Sequence, residues 1–295
     1  MKSIKKDKVN SSRNLYKIFI YIALITLAVS IIVPVAWVFM ASLKSNAEFV
    51  GKDINPVAFP KKLMWENFAI AFGKAKMGEY LLNSVIVTAL SLVLLLVVAL
   101  PASYCLARFN FKGKKFISTG FMAGLFINVN YIVVLIFLML SSANKMLGVK
   151  FFLNNRFILA LVYASTALPF TIYLLTGYFK TLPRAYEEAT LIDGCGYFKT
   201  MVKIMIPMAR PSIITVILFN FLAFWNEYII AFTLMNTRNK TLPVGLQNLM
   251  AVEKTATNYG IMYAGLVIVM LPTLILYIAL QKKLTQGMSL GGLKD

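Results

Sequence analysis

Six apolar runs, each near the ~20 residues a helix needs to cross the hydrocarbon of a bilayer, constrain this chain more than any other feature. They cover 18–40, 81–106, 116–140, 157–179, 213–234 and 259–280. A backbone inside lipid must satisfy its own hydrogen bonds, so runs of this length predict helices. Composition agrees. The chain of 295 residues is 59% hydrophobic and 14% charged, against ~25% charged in soluble domains. The mean hydropathy is +0.75. One soluble globule cannot bury that much apolar surface. The expected fold class is all-α: a polytopic membrane protein with six transmembrane helices. Pro101, Pro169 and Pro272 fall inside runs, which neighbouring helices can accommodate. At ~23 residues the first run exceeds the apolar core of a cleaved signal peptide, so it is expected to stay as an anchor.

Charge sets the expected orientation. Of 30 Lys and Arg, 18 fall on the side that holds both termini and 12 on the other. The bias is sharpest in the short loop 107–115, which carries Arg108, Lys112, Lys114 and Lys115 and no acid. Positive loops stay in the cytoplasm, so both ends are predicted there. The net charge of +19 is then loop charge that orients the chain and meets anionic lipid, not a nucleic-acid footprint. The expected layout is a cytoplasmic segment 1–17, a membrane domain 18–280 and a cytoplasmic tail 281–295. Outer connections are expected at 41–80, 141–156 and 235–258.

Most catalytic chemistry is missing. The chain has no histidine and two cysteines, Cys105 and Cys195, without metal-ligand spacing. These read as packing thiols, and no metal is expected. No phosphate-binding Gly-x-x-x-x-Gly-Lys-Ser/Thr loop occurs, so the chain is not expected to hydrolyse ATP or to be an enzyme. A secondary transporter needs intramembrane ion-binding groups or inverted repeats. Here one acid, Glu227, lies clearly inside a run.

The long cytoplasmic segment between runs four and five, 181–207, is the most informative stretch. Thr181 is placed to cap a helix with Pro183 in its first turn, and Glu187 and Glu188 suit the positive end of that helix. Gly194 after Asp193 can break it. Leu191, Cys195, Phe198, Val202 and Met205 recur at spacings of four and three, an apolar stripe on one helical face. Pro207 is expected to close the unit. A helix-turn-helix of this kind either docks in a hydrophobic cleft of a partner or lies on the headgroups.

The string EEATLIDG, followed by nine residues and IMIP, resembles the coupling motif of binding-protein-dependent ABC importer permeases. Glu188, Ala189, Asp193, Gly194, Ile204 and Pro207 match that pattern, while Thr190 stands where Ala is usual and Ile206 where Leu is usual. WNEYIIAF at 225–232, TLPVGLQ at 241–247, QGMSLGGLKD at 286–295, and Trp37 with SLK at 42–44 resemble the carbohydrate branch, and within it the smaller maltose-type subunits. The third run departs, since FINVNYIVV lacks an expected proline.

The resemblance implies a permease subunit that moves a carbohydrate, an oligosaccharide, by alternating access. Two ATPase subunits would hold ATP and Mg, so no cofactor is expected in this chain. It further implies a second related permease and an extracellular solute-binding protein. Glu187, Glu188, Ala189, Asp193, Gly194, Phe198, Ile204 and Pro207 would couple to the ATPase. Trp225, Asn226, Glu227 and Tyr228 combine aromatic faces with amide and carboxylate groups and would line the translocation path. The alternative for Glu227 is a partner within the bundle. Arg238, Lys240, Gly245 and Gln247 would meet the binding protein, unless 235–258 is an ordinary solvated loop. Gln286, Gly287, Gly291 and Gly292 would reach between the ATPase subunits, unless the end is only a disordered terminus. The competing reading is a permease of the same superfamily for a polyamine or an osmolyte.

Overall fold

The computed structural model describes residues 2–50, 55, 57–235, 239–256 and 258–292, with side chains left out for 2–15, 253–256 and 280–292. Every described element is helical. Two compact units result, one of Met1–Ala75 with Leu249–Ile268, the other of Lys76–Asn248 with Val269–Asp295.

The first unit holds α1 (Lys2–Ser42), α2 (Ala47–Val50) and α3 (Glu66–Ala69), which runs into a π-helical turn at Ile70–Lys74. The apolar part of α1, Tyr16–Ser42, is long enough to span a bilayer. Its side chains from Ile18 to Val33 are largely bare, as a lipid-facing helix requires. Beyond it the chain is pinned by one amide: Asn67 Nδ2 donates to the carbonyls of Ser42 and Lys44, both at 2.9 Å. A Cβ on Gly260 would come within 2.6 Å of that amide nitrogen and of the Lys44 carbonyl, so only glycine permits the close approach.

In the second unit α4 (Met77–Arg108) packs along its length on α7 (Arg156–Thr181). Between them in sequence lie α5 (Lys114–Gly124) and α6 (Val129–Leu147). The core is apolar, with Leu95, Leu159, Leu175 and Phe179 fully buried. Asn220 crosses it, donating to Thr171 Oγ1 at 3.0 Å and to its own helix at Val216 O.

After α7 come α8 (Ala185–Ile192), α9 (Tyr197–Thr200), a π-helical turn at Met201–Met205, and α10 (Ile206–Met208). Next are α11 (Arg210–Trp225), α12 (Ile229–Leu234), α13 (Leu242–Ala256) and α14 (Tyr259–Gly292), the last two crossing from one unit to the other. Among the described residues five helices are long and apolar enough to span: α1, α4, α6, α7 and α14. The sixth span depends on a bent pair, Tyr197–Met208 with Arg210–Trp225, whose axes meet at 74°.

Four expectations are corrected. The third run, expected as one helix over 116–140, breaks at 125–128, and the spanning helix is α6. Asn128 starts it, its side chain accepting from Asn130 N, while a Cβ on Gly124 would meet the Pro169 ring at 2.9 Å. The fifth run, 213–234, breaks at 226–228 into α11 and α12. The expected loop 235–258 contains the fifteen-residue α13, whose Pro243 sits in the first turn, where a missing N–H costs nothing. The last helix does not stop near 280 but continues to Gly292.

Candidate functional site

The segment 181–207 folds as two helical arms, with its punctuation moved. Thr181 is the last residue of α7, not a cap: its hydroxyl donates back to Tyr178 O at 2.8 Å. The first arm, α8, starts at Ala185 and ends at Ile192, with Asp193 as its C-cap residue. Gly194 then adopts φ +71°, with no heavy atom within 4 Å of where a Cβ would stand. That position needs glycine for backbone reasons alone, since a side chain at positive φ costs ~1–2 kcal/mol. Cys195 N closes the turn onto Thr190 O at 2.9 Å. Pro207 does not close the second arm; it sits inside α10, and the break falls at Ala209. Across the turn the Thr190 and Thr200 hydroxyls, both buried, share a hydrogen bond of 3.0 Å.

The predicted apolar stripe is divided. Leu191 lies on the first arm and Cys195 in the turn; Met205 is fully buried, whereas Phe198 is 76% exposed. Ile192, Tyr197 and Val202 are also bare. Of the other predicted coupling residues, Glu188, Ala189 and Asp193 are exposed, while Ile204 and Pro207 are half-buried.

The paired acids separate. Glu188 faces out. Glu187 turns inward, where Oε1 accepts from Tyr104 Oη at 2.8 Å and Oε2 lies 3.4 Å from Arg108 Nε. The same guanidinium donates through Nη2 to Leu182 O at 2.7 Å. Tyr104, Arg108, Phe109, Glu187, Tyr197 and Thr200 help line a cleft of about 180 Å³. Tyr104 and Thr200 carried no signal in the sequence, and Arg108 was legible only as one more basic loop residue.

The candidate path cluster does not converge. Trp225 is buried, stacked on Phe221, with its indole N–H donating to Val269 O at 3.2 Å. The Glu227 carboxylate accepts from Tyr163 Oη at 3.0 Å and from the backbone N–H of Ile230 and Ala231 at 3.0 and 3.1 Å. It therefore caps the first turn of α12, and Tyr163, 1% exposed, is the partner the sequence did not reveal. Asn226 remains exposed, and Tyr228 stacks on Phe232.

Among the predicted binding-protein contacts, Gln247 is exposed and Lys240 half-buried. Gly245 is buried, and a Cβ there would collide with the Tyr80 ring. Arg238 lies outside the described residues. Gln286, Gly287, Gly291 and Gly292 belong to the helical backbone of α14, and their side-chain environment lies outside the description. Both cysteines are free, and Cys105 is exposed. No group of His, Cys, Asp or Glu able to hold a metal occurs among the described residues.

Residues 99–290 match the model of the binding-protein-dependent transport system inner membrane component family. The diacetylchitobiose uptake system permease protein NgcG of Streptomyces coelicolor is 35% identical over 91% of this chain and 86% of its own length. The maltodextrin transport system permease protein MalD of Streptococcus pneumoniae is 27% identical, covering 97% and 98%. Among solved structures, a chain of a bacterial ABC transporter that imports the acidic polysaccharide alginate superposes with a TM-score of 0.77 at 21% identity, covering 92% and 97%. At that identity the match speaks for the fold. With its family-model match, its apolar spanning helices and its helix-turn-helix leading into α11, this multi-pass membrane protein belongs to the binding-protein-dependent transport system inner membrane components, the permease subunits of ABC importers.

Proposed function

We propose that this chain is the permease subunit of an importer for an oligosaccharide, with α8 to α10 as the contact for partner ATPase subunits. The observation that carries the reading is the exposed face of that unit. Glu188, Ile192, Tyr197 and Phe198 stand bare on a turn fixed by Gly194 and by the Thr190–Thr200 bond. Apolar side chains at this density on a short helix pair suit a cleft in another protein. The sugar assignment is supported by relatives named for diacetylchitobiose and maltodextrin uptake.

Two ATPase subunits with ATP and Mg, a second related permease and an extracellular solute-binding protein complete the proposed assembly. Both termini are assigned to the cytoplasm, following the basic loop 107–115. Nucleotide binding closes the ATPases, the helix pairs move with them, and the spans alternate between inward- and outward-facing states. Asn226, exposed although its amide nitrogen donates to Leu222 O, and Tyr228 are assigned to face a passing sugar, while the polar groups of Trp225 and Glu227 are held by Val269 and by Tyr163 and the start of α12. Gln286–Gly292 is assigned to the ATPase side.

The test is reconstitution of the full complex in proteoliposomes with its binding protein. ATP hydrolysis stimulated by binding protein loaded with diacetylchitobiose or a maltodextrin, with uptake of that sugar, is the expected result. Stimulation by a polyamine or osmolyte and by no sugar would overturn the substrate class. Failure of any ATPase to co-purify would overturn the coupling role.

A further inference from the structure

The matched motif uses Glu188, yet its neighbour Glu187 makes the polar contacts. We propose that Glu187 is a positioning residue: with Tyr104 and Arg108 it locks the helix pair to the cytoplasmic end of α4, and movement of the ATPase reaches the spans through this lock. The inference rests on the reading of α8 to α10 as the ATPase contact and adds how that contact pulls.

The geometry supports a lock in four ways. First, Arg108 holds two points together. Its Nη2 donates to Leu182 O, the residue capping the end of α7, and its Nε faces Glu187 in the first turn of α8. The exit from one helix and the entry to the next are fixed by one guanidinium on α4. Second, the pair is shielded, with side chains 6% and 17% exposed, so salt screens it less than a surface pair. Third, Tyr104 is itself fixed. It is 3% exposed and lies edge-on to Phe179 of α7 and to Phe109, and Phe109 lies edge-on to Tyr197 of α9. The first arm is thus tied by charge and the second by rings. Fourth, the shared Thr190–Thr200 bond joins the two arms, so they move as one body. A cleft of about 180 Å³ lies between this body and the end of α4, partly open. Hydrogen-bond and salt-bridge networks together with packed side chains are the physical links through which movement of one element biases another.

The experiment uses the complete complex in proteoliposomes and reads sugar taken up per ATP hydrolysed, alongside recovery of the ATPase subunits with the permease. Glu187→Gln keeps an acceptor for the Tyr104 hydroxyl and removes the ion pair. Tyr104→Phe keeps the rings and removes the hydroxyl. Glu187→Asp retains the charge on a shorter arm. Hydrogen bonds to charged groups are worth about tenfold or more each. The expected result is a roughly tenfold fall in uptake per ATP for the Gln/Phe double variant, with ATPase recovery near that of the parent complex. Glu187→Asp is expected to fall between the two. A double variant with unchanged uptake per ATP would overturn the proposal. So would loss of ATPase from the complex in step with uptake, because Glu187 would then serve docking and not transmission. A parent complex that neither holds ATPase nor takes up sugar would remove the coupling reading itself, and the lock with it.

Discussion

Two glutamates in the second unit show how position changes the use of a carboxylate. Glu187, at the C-terminal end of α4 and α7, is held by a phenol and a guanidinium. Glu227, at the break between α11 and α12, is held by a phenol and two backbone N–H groups, with no cation among its partners in the described residues. The first site ends a bundle, where an arginine can reach it from the loop side. The second interrupts an apolar run, where a lone cation would be costly to place, and the partial positive charge of a helix start serves instead. The acid at the break between α11 and α12 thus holds a helix start, while the exposed face of the helix pair is built from residues with few partners of their own.

The largest expected effect follows from removing the Glu227 acceptor. Glu227→Leu leaves the Tyr163 hydroxyl and two backbone donors without partners, each worth ~1–3 kcal/mol when buried. Thermal unfolding of the purified chain in detergent should show a loss of roughly 3 kcal/mol or more, and Glu227→Gln should recover part of it. Unchanged unfolding in Glu227→Leu would mean that the carboxylate is free to serve the path after all.

An intermediate effect is expected at the turn. Gly194→Val forces a branched side chain into φ +71°, at a cost of ~1–2 kcal/mol. Since nothing crowds the position, Gly194→Asn should be milder, because Asn enters the left-handed region more readily. ATPase recovery with the permease should rank Gly, Asn, Val. An Asn variant as poor as Val would point to a steric role at the partner instead.

The smallest effect belongs to Thr190→Ala, which restores the residue the family pattern carries and removes the bond to Thr200. A neutral hydrogen bond contributes ~1 kcal/mol, so the fold should persist with a slightly looser turn, seen as faster amide exchange at Cys195. Exchange as slow as in the parent chain would show that the backbone bond from Cys195 to Thr190 suffices alone.

Much of this was legible in the sequence. Apolar runs gave the spans because span length is a property of the chain and the bilayer. The turn at Gly194 was legible because the glycine follows a short helix and precedes apolar residues at helical spacing. The breaks were harder. Gly124 and Asn128 flank the first, yet neither interrupts hydropathy enough to register in a long apolar run. Asn226 and Glu227 mark the second, and the partner that engages Glu227, Tyr163, lies on another helix where no local pattern points to it. The stretch 235–258 lies between apolar runs and was expected as an outer connection, but Pro243 occupies a first turn of α13 and Gly245 makes room for Tyr80. The ties of Glu187 to Tyr104 and Arg108 join residues far apart in the chain, and no local pattern encodes such a pair.

The central claim, that the face bearing Phe198 meets the ATPase, is tested most directly by cross-linking. In a chain with Cys105 and Cys195 replaced by Ser, a single cysteine at Phe198 would be treated in the complete complex with a short thiol-to-amine cross-linker. A second chain would carry its cysteine at Tyr131, which is exposed on α6. The account predicts a covalent product with the ATPase subunit from position 198 and none from position 131. A product from 131 alone, or from neither position in a complex that still takes up sugar, would contradict it.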